Sequence, residues 1–186
     1  MYITNYMEET ALTKIANKYH CDKGTEAYEK HGYTEEYAKY IPLTGKYSLL
    51  EIGIWHGDSL KMWREYNPDL DLHAIDIDAN CLRYIGDFKN IYIGNQSDHE
   101  FLSTVVKGKE FDFIIDDGSH YMNDILNSLY YLYDYLKPGG YYFIEDIHAG
   151  QAQKEKLIES LISYFHDKPS RKMSMICNDK LILIIK

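Results

Sequence analysis

Long apolar runs are missing from this chain of 186 residues. No stretch approaches the run of about 20 apolar residues that a membrane span requires, so we expect no membrane partner. The first seven residues lack the basic flank and the apolar core of a signal peptide, and a cytoplasmic location is therefore expected. Internal repeats, low-complexity tracts and linkers are also missing. Because the length suits one globular unit, we predict a single domain over residues 1–186.

Cysteine and positive charge are both scarce. Cys21, Cys81 and Cys177 are widely spaced, odd in number and without CxxC spacing, which excludes a disulfide framework or a zinc knuckle. The 20 Lys and Arg residues are outnumbered by 29 Asp and Glu residues, which gives a net charge of −9. An acidic chain repels a phosphate backbone. The sequence therefore predicts no nucleic-acid partner.

Apolar and aromatic side chains, by contrast, are plentiful. Hydrophobic residues make up 45% of the chain, enough for a sizeable core, and 19 residues are tyrosines. Several tyrosines follow the spacing of a helix that faces a core, namely Tyr130, Tyr131, Tyr133 and Tyr135. We interpret most of them as half-buried core side chains. A surface that stacks on carbohydrate is the alternative interpretation.

Short apolar runs alternate with helical segments from residue 47 onward. Strands are predicted at 47–54, 72–76, 90–93, 111–116 and 141–145, with helices at about 59–66, 79–88, 97–106 and 121–136. Such alternation indicates a parallel sheet with helices on both faces. After a helix near 154–165, runs at 172–177 and 180–186 are separated only by Asn178 and Asp179, which predicts an antiparallel hairpin. The predicted fold is an α/β, doubly wound Rossmann-like sheet, mostly parallel with a C-terminal antiparallel hairpin.

Residues 1–45 are predicted to form a helical cap segment on a core of residues 46–186. Apolar side chains recur there at i, i+3, i+4 and i+7, which indicates one amphipathic helix ending near Tyr19. The polar turn DKGT, residues 22–25, is predicted to end this helix.

Three local signals predict where other helices begin or end. Thr34 is predicted to cap a short second helix with its hydroxyl, and Ser97 with Glu100 forms a capping-box pair before a later one. The segment KPGG at 137–140 is predicted to stop the helix over 121–136 and to turn the chain into the next strand.

The loop after the first predicted strand is the first candidate binding element. It carries the spacing ExGxxxG, with Glu51, Gly53 and Gly57, and a helix is predicted to begin near Ser59. The glycines let the backbone approach a ligand closely, and the first turn of the helix offers unpaired N–H groups. A purely structural turn is the alternative.

The next two strand ends predict a cofactor that contains a nucleoside. Asp76 ends the second strand, where an acid can accept two hydrogen bonds from ribose hydroxyls. The alternative role, capping the following helix, suits Asp78 better than Asp76. After the third strand, Gln96 or Ser97 could reach an adenine edge, and helix capping is an equal competitor there.

Acidic residues are densest after the fourth and fifth strands. The fourth is followed by Asp116, Asp117, Gly118, Ser119 and His120, and the fifth ends in Glu145 and Asp146. Neighbouring parallel strands would bring these groups to one edge of the sheet, where so much negative charge favours a cation. Oxygen ligands select a hard ion such as Mg²⁺. The alternative is that Asp117 or Ser119 caps the following helix while Glu145 and Asp146 are solvated.

At these residues the chain resembles the class I S-adenosylmethionine-dependent methyltransferases. It is similar within them to the Mg²⁺-dependent sugar O-methyltransferases typified by the mycinamicin and macrocin enzymes, and to the group labelled cephalosporin hydroxylase. The similarity runs from Glu51 to about His148, through LLEIGIWHGDSLKMW, HAIDID, GNQSD, FDFIIDDGSHYMNDILNSL and LKPGGYYFIEDI. The combination of IDDGSH with a later PGG and IED is its specific part, and the N-terminal DKGT and HGYT also match.

The resemblance implies a cofactor, a metal and a role for each candidate residue. S-adenosyl-L-methionine would be held at its methionine end by Glu51, Gly53, Gly57 and Ser59, at its ribose by Asp76, and at its adenine by Gln96 and Ser97. Thr34 and Asp116 complete the implied cofactor-binding set. Mg²⁺ would be held by Asp117, Glu145 and Asp146, and His120 would act as base beside Asp117.

The activity implied by the resemblance is methyl transfer to an oxygen of a small polar metabolite in glycan, capsule or natural-product biosynthesis. A sugar, a sugar nucleotide and a phosphorylated metabolite all stay open as the small-molecule substrate, and we expect a homo-oligomer. Two other functions also stay open. A metal-dependent hydrolase would need a water nucleophile and no ribose-binding Asp76, and a non-catalytic nucleoside-binding module would have no reason to gather acids around His120.

Overall fold

A seven-stranded sheet organises the chain in the computed structural model, which describes residues 8–28, 30–147, 151–168, 172–177 and 180–186. The strands are β1 (Ser48–Ile52), β2 (Asp71–Asp76), β3 (Asn90–Ile93), β4 (Phe111–Asp116), β5 (Leu136–Ile144), β6 (Lys172–Ile176) and β7 (Leu181–Ile185). Their order is β3-β2-β1-β4-β5-β7-β6. Strands β1 to β5 run parallel, and β7 is antiparallel to both β5 and β6. The predicted fold class is confirmed.

Six helices are described around this sheet. They are α1 (Ala11–Lys18), α2 (Thr34–Tyr37), α3 (Asp58–Tyr66), α4 (His99–Val106), α5 (Met122–Leu132) and α6 (Gln151–Phe165). Two 3₁₀ turns occur at Ala79–Arg83 and Tyr133–Tyr135. Among the described residues, no helix combines the length and the apolar character that crossing a membrane demands.

The strands bury side chains on both faces of the sheet. Because successive side chains of a strand alternate between faces, Leu50, Ile114 and Tyr142 pack into one core with residues of α4, α5 and α6. Leu49, Phe113 and Phe143 pack into the opposite core with α1, α2 and α3. The N-terminal helices thus share a core with the sheet itself. Tyr133 is fully buried, and Tyr130, Tyr131 and Tyr135 are partly buried against the first core, which confirms their structural interpretation.

Several predicted helix ends are wrong. Thr34 is the first residue of α2 and not its cap, because its buried hydroxyl bonds that of Thr13 at 2.8 Å. The cap of α4 is Asp98, which accepts from the N–H groups of Glu100 and Phe101, so the capping box on Ser97 does not form.

Other boundaries move by several residues. The predicted helix over 79–88 is only the 3₁₀ turn Ala79–Arg83. The helix predicted to reach residue 136 ends at Leu132, and residues 137–140 lie inside β5 at a shift in register with β4. The predictions at residues 1–7, 148 and 178–179 lie outside the described residues.

The strand order places one end of the sheet in position for a ligand. The order reverses between β1 and β4, which is where doubly wound sheets bind ligands, beyond the carboxyl ends of the strands. Ile52 pairs with Asp116, and Asp116 with Ile144, so the three central strands end level with one another. Gly53, Asp117 and Glu145 therefore leave the sheet side by side.

Candidate active site

A cavity of about 890 Å³ opens at this end of the sheet. Its size is within the range of about 300–1,000 Å³ that is usual for small-molecule sites. The loops after β1 to β5 and the segment after α1 line it. Predicted site residues in the lining are Gly53, Ser59, Asp76, Gln96, Asp117, His120 and Asp146. Thr34, Glu51, Gly57, Ser97, Asp116 and Glu145 were also predicted but are not part of that lining.

The glycine loop after β1 is shaped by a contact with the loop after β4. Gly53 has a φ of +97°, and a Cβ there would lie 2.0 Å from the backbone oxygen of Asp117. Any side chain would force the two loops apart. Gly57, with a φ of +68°, precedes the first residue of α3. Position 53 therefore requires glycine because of the packing of the two loops alone.

Asp76 fixes the same loop from the end of β2. Its Oδ2 accepts hydrogen bonds from the N–H groups of Ile54, at 2.8 Å, and Trp55, at 3.0 Å. Asp78 accepts from the N–H of Asn80 and caps the 3₁₀ turn, as expected of that residue and not of Asp76. Asp76 therefore remains at the cavity wall, where it can also meet a ligand.

Gln96 and Asp116 form a buried pair beneath the cavity. The Gln96 amide donates to both Asp116 oxygens, at 3.0 and 3.2 Å, and its own oxygen accepts from the N–H of Ser119 at 2.9 Å. Ser128 donates to Asp116 at 2.6 Å. Burial raises the pKa of Asp116 to about 6, although these hydrogen bonds oppose the rise. Asp116 thus supports the cavity wall from behind, through Gln96.

Asp124 joins two serines at the rim and was missed in the sequence. Ser97 donates to one of its carboxylate oxygens at 2.5 Å, and Ser119 donates to the other at 2.7 Å. Asp124 lines the cavity from the first turn of α5. The sequence feature that could have identified Asp124 is an acid in the first turn of the helix after β4. Ser97 is connected to the site through its hydrogen bond to Asp124.

The predicted meeting of Asp117 and Glu145 does occur, around a lysine. The Lys23 ammonium lies 2.5 Å from Asp117 Oδ2, 2.9 Å from Glu145 Oε2 and 3.5 Å from Glu51 Oε1. Lys23 is only 1% exposed. Glu145 also accepts a hydrogen bond from the Tyr37 hydroxyl, and Glu51 one from the Trp63 indole at 3.1 Å.

Charge and burial oppose each other in this cluster. Burial raises the pKa of Glu51 to about 7 against the lowering effect of the Lys23 charge. The pKa of Glu145 is well above its usual value because of burial and the nearby charge of Asp117. Burial acts to lower the pKa of Lys23, but the charges of Asp117, Glu145 and Glu51 outweigh it and raise that pKa. Lys23 therefore stays charged and neutralises part of the cluster.

Among the described residues, Asp117, His120 and Asp146 form a group that could hold a metal ion. One ligand atom from each lies within 4.8 Å of the others, and His120 Nε2 is 4.0 Å from Asp117 Oδ1. The Tyr33 hydroxyl donates to Asp146 at 2.5 Å, and His31 Nδ1 is 3.5 Å from the same oxygen. Glu145, the third predicted ligand, is not in this group. Two carboxylates fit a hard divalent cation.

Two members of this group have an uncommon backbone conformation. His120 has a φ of 60° and Asp146 a φ of 53°, values that residues other than glycine adopt rarely. Such conformations persist where the surroundings enforce them, and they cluster at functional sites.

The chain has a doubly wound α/β fold with a cavity at its switch point. A family model described as a methyltransferase domain matches residues 50–147, more than half of the chain. The chain belongs to this methyltransferase family, which confirms the resemblance drawn from the sequence.

Two curated relatives are O-methyltransferases. The chain is 34% identical over 108 residues to mycinamicin VI 2''-O-methyltransferase of Micromonospora griseorubida, covering 53% of this chain and 27% of that enzyme. It is 32% identical over 149 residues to L-olivosyl-oleandolide 3-O-methyltransferase of Streptomyces antibioticus, covering 75% and 38%. The chain thus spans well under half the length of these relatives.

A solved structure matches almost the whole chain. It is the MycE methyltransferase from the mycinamycin biosynthetic pathway, in complex with Mg, SAH and mycinamycin VI. The TM-score is 0.78 at 25% identity, covering 96% of this chain and 54% of the other.

Proposed function

We propose that this chain is an S-adenosylmethionine-dependent, Mg²⁺-assisted O-methyltransferase that acts on a hydroxyl of a sugar or of a sugar-bearing small molecule. The observation that carries the proposal is the convergence of Asp117, Asp146 and His120 in one cavity with Asp76. The names of two relatives refer to sugar-bearing acceptors and support the substrate class, namely L-olivosyl-oleandolide 3-O-methyltransferase and 8-demethyl-8-alpha-L-rhamnosyl tetracenomycin-C 2'-O-methyltransferase.

The cofactor would lie along the loops after β1 to β3. Gly53 and Ser59 line the part of the cavity proposed for the methionine end, with Gly57 and Glu51 shaping it from behind. Asp76 would accept from the ribose hydroxyls. Gln96 would lie beside the adenine, supported by Asp116 and, through Asp124, by Ser97. Thr34 is proposed as a more distant contact, since its hydroxyl bonds Thr13.

The metal would lie at the other side of the cavity. Asp117 and Asp146 are the proposed ligands that the geometry supports directly, with His120 beside them. Glu145 is the third proposed ligand, because each of its oxygens keeps a lone pair besides the one used by Lys23 or Tyr37. When bound, Mg²⁺ supplies positive charge that makes a nearby hydroxyl more acidic.

The chain's own contribution is to move one proton and to align the reactants. Bound S-adenosylmethionine supplies a methyl group on a positively charged sulfur, which becomes a neutral thioether when the methyl group leaves. The acceptor hydroxyl must lose its proton as its oxygen takes the methyl group. His120 is proposed to receive that proton on its imidazole, since it borders the cavity next to Asp117. Holding oxygen, methyl carbon and sulfur in line can contribute about 7–11 kcal/mol.

A methyl-transfer screen tests the proposal. The protein is incubated with S-adenosylmethionine and Mg²⁺ over panels of sugars, glycosides, sugar nucleotides and phosphorylated metabolites, and products are detected by the mass gain of one methyl group. We expect methylation among the sugar-bearing acceptors that stops in excess chelator. Binding of S-adenosylmethionine without any methylated product across all panels, or methylation only of acceptors that lack a sugar, would contradict it.

A further inference from the structure

Among the residues that the structure describes, Lys23 is a buried charged group that the proposed reaction leaves without a role. It lies in the turn after α1, where its backbone oxygen accepts from the N–H of Thr34 at 3.0 Å. From there its side chain reaches acids that are 94 and 122 residues away in the sequence. The turn is therefore anchored on α2, and the ammonium is delivered to the ends of β4 and β5.

Lys23 decides which oxygen of Asp117 faces the proposed metal position. The ammonium binds Oδ2, and it is Oδ1 that lies 4.0 Å from His120 Nε2. The two oxygens of a carboxylate are chemically equivalent, so a donor held on one side fixes the direction of the other. Without Lys23, Asp117 could rotate.

Glu145 is held in the same way. Lys23 binds its Oε2, while the Tyr37 hydroxyl donates to its Oε1. Two donors on opposite oxygens fix the plane of the carboxylate. The same ammonium lies 3.5 Å from Glu51, which gives the turn a third acid to bind.

We propose that Lys23 is a positioning residue that orients the carboxylates of Asp117 and Glu145 for a divalent cation. The inference rests on the proposed function, because it assigns Lys23 to that metal site. An ammonium that acted only as a counter-charge would repel a divalent cation, so its removal would strengthen metal binding. If Lys23 positions the ligands, its removal should instead weaken metal binding, because the ligand oxygens are then no longer held in one direction.

Mn²⁺ binding shows directly whether replacing Lys23 weakens or strengthens metal affinity. Free Mn²⁺ is followed by electron paramagnetic resonance in titrations of the wild-type protein, Lys23→Met and Lys23→Arg, without cofactor or acceptor. We expect Mn²⁺ affinity to fall at least tenfold in Lys23→Met. Lys23→Arg keeps the charge but changes the donor geometry, and we expect a loss there as well. In turnover, both variants should need more Mg²⁺ than the wild-type protein to reach their maximal rate.

Lys137→Met is the matched control. Lys137 pairs with Asp112 at 2.7 Å, and neither residue lines the cavity, so the control loses a lysine–carboxylate pair without touching the site. It should bind Mn²⁺ like the wild-type protein. Thermal unfolding shows whether each variant folds, and if Lys23→Met does not, Lys23→Arg decides.

The outcomes separate the two proposals. Unchanged or tighter Mn²⁺ binding in a folded Lys23 variant, while the wild-type protein binds Mn²⁺, overturns the role of Lys23 and leaves the proposed function intact. A wild-type protein that binds no Mn²⁺ overturns both, since no metal site then exists to be positioned.

Discussion

The two halves of the cavity differ in how far apart in the sequence their contacting residues lie. The cofactor half, formed by Gly53, Asp76 and Gln96, is held by hydrogen bonds between neighbouring loops, 22 residues apart for Ile54 to Asp76 and 23 for Ser119 to Gln96. The metal half, formed by Asp117, His120 and Asp146, is held by groups from the N-terminal segment. Lys23 to Asp117 spans 94 residues, and Tyr33 to Asp146 spans 113.

This difference has a physical consequence. The cofactor half uses backbone N–H groups and neutral amides as donors, which need no charge balance. The metal half concentrates carboxylates that burial would otherwise make costly. An ammonium neutralises part of their charge, and tyrosine hydroxyls donate hydrogen bonds to them. Changes in the two halves should therefore separate methyl transfer from cofactor binding.

The largest expected effect comes from the metal half. His120→Ala should lower the rate of methyl transfer by about 10²–10⁴, the usual loss when a general base is removed. Affinity for SAH, measured by calorimetry, should stay near that of the wild-type protein because His120 lies outside the cofactor half. His99→Ala, an exposed histidine on α4 that does not line the cavity, is the control. Near-normal turnover in His120→Ala would remove this residue from the mechanism.

A change in the cofactor half should weaken cofactor binding and leave metal binding unchanged. Asp76→Asn should weaken SAH binding by about 10-fold to 150-fold, because hydrogen bonds to a charged group contribute about 1.5–3 kcal/mol. Mn²⁺ affinity should not change. Asp71→Asn, at the other end of β2 and away from the cavity, is the matched control. If Asp76→Asn kept full SAH affinity, the ribose assignment would be wrong.

An effect on stability and not on the reaction is expected of Asp116, whose hydrogen bonds among the described residues come from neutral donors. Its pKa is raised from 3.8 to about 6, so the folded state holds the proton more tightly than the unfolded state. Stability should therefore fall as pH rises from 3.8 to about 6, by about 2–3 kcal/mol for this group.

Urea unfolding at several pH values measures that slope. Asp116→Asn cannot ionise and should lack this contribution, while Asp112→Asn, on the same strand, should keep the wild-type slope. An Asp116→Asn protein with the wild-type pH dependence would show that Asp116 does not hold a raised pKa.

The sequence predicted what local patterns determine. Strand periodicity and alternating helices specified the sheet, and strand ends located Asp76, Asp117, His120 and Asp146 at one cavity. The predicted caps do not form because other groups make the hydrogen bonds. Asp98, and not Ser97, accepts from the first turn of α4, and the hydroxyl of Thr34 bonds that of Thr13.

Lys23 could not be predicted in the same way. A lysine in a polar turn is ordinarily exposed, and only the folded chain brings it against Asp117 and Glu145. The contact between Tyr37 and Glu145 could not be predicted either, because the two residues are 108 positions apart in the sequence. The contacts of the metal half are thus harder to predict from the sequence than those of the cofactor half, because they join distant segments of the chain.

The most direct test is the dependence of methyl transfer on Mg²⁺, with the best acceptor from the screen, in the wild-type protein and in Asp146→Asn. The account predicts that excess chelator abolishes product formation, that added Mg²⁺ restores it, and that Asp146→Asn needs at least tenfold more Mg²⁺. Methyl transfer at the full rate in excess chelator would contradict the account.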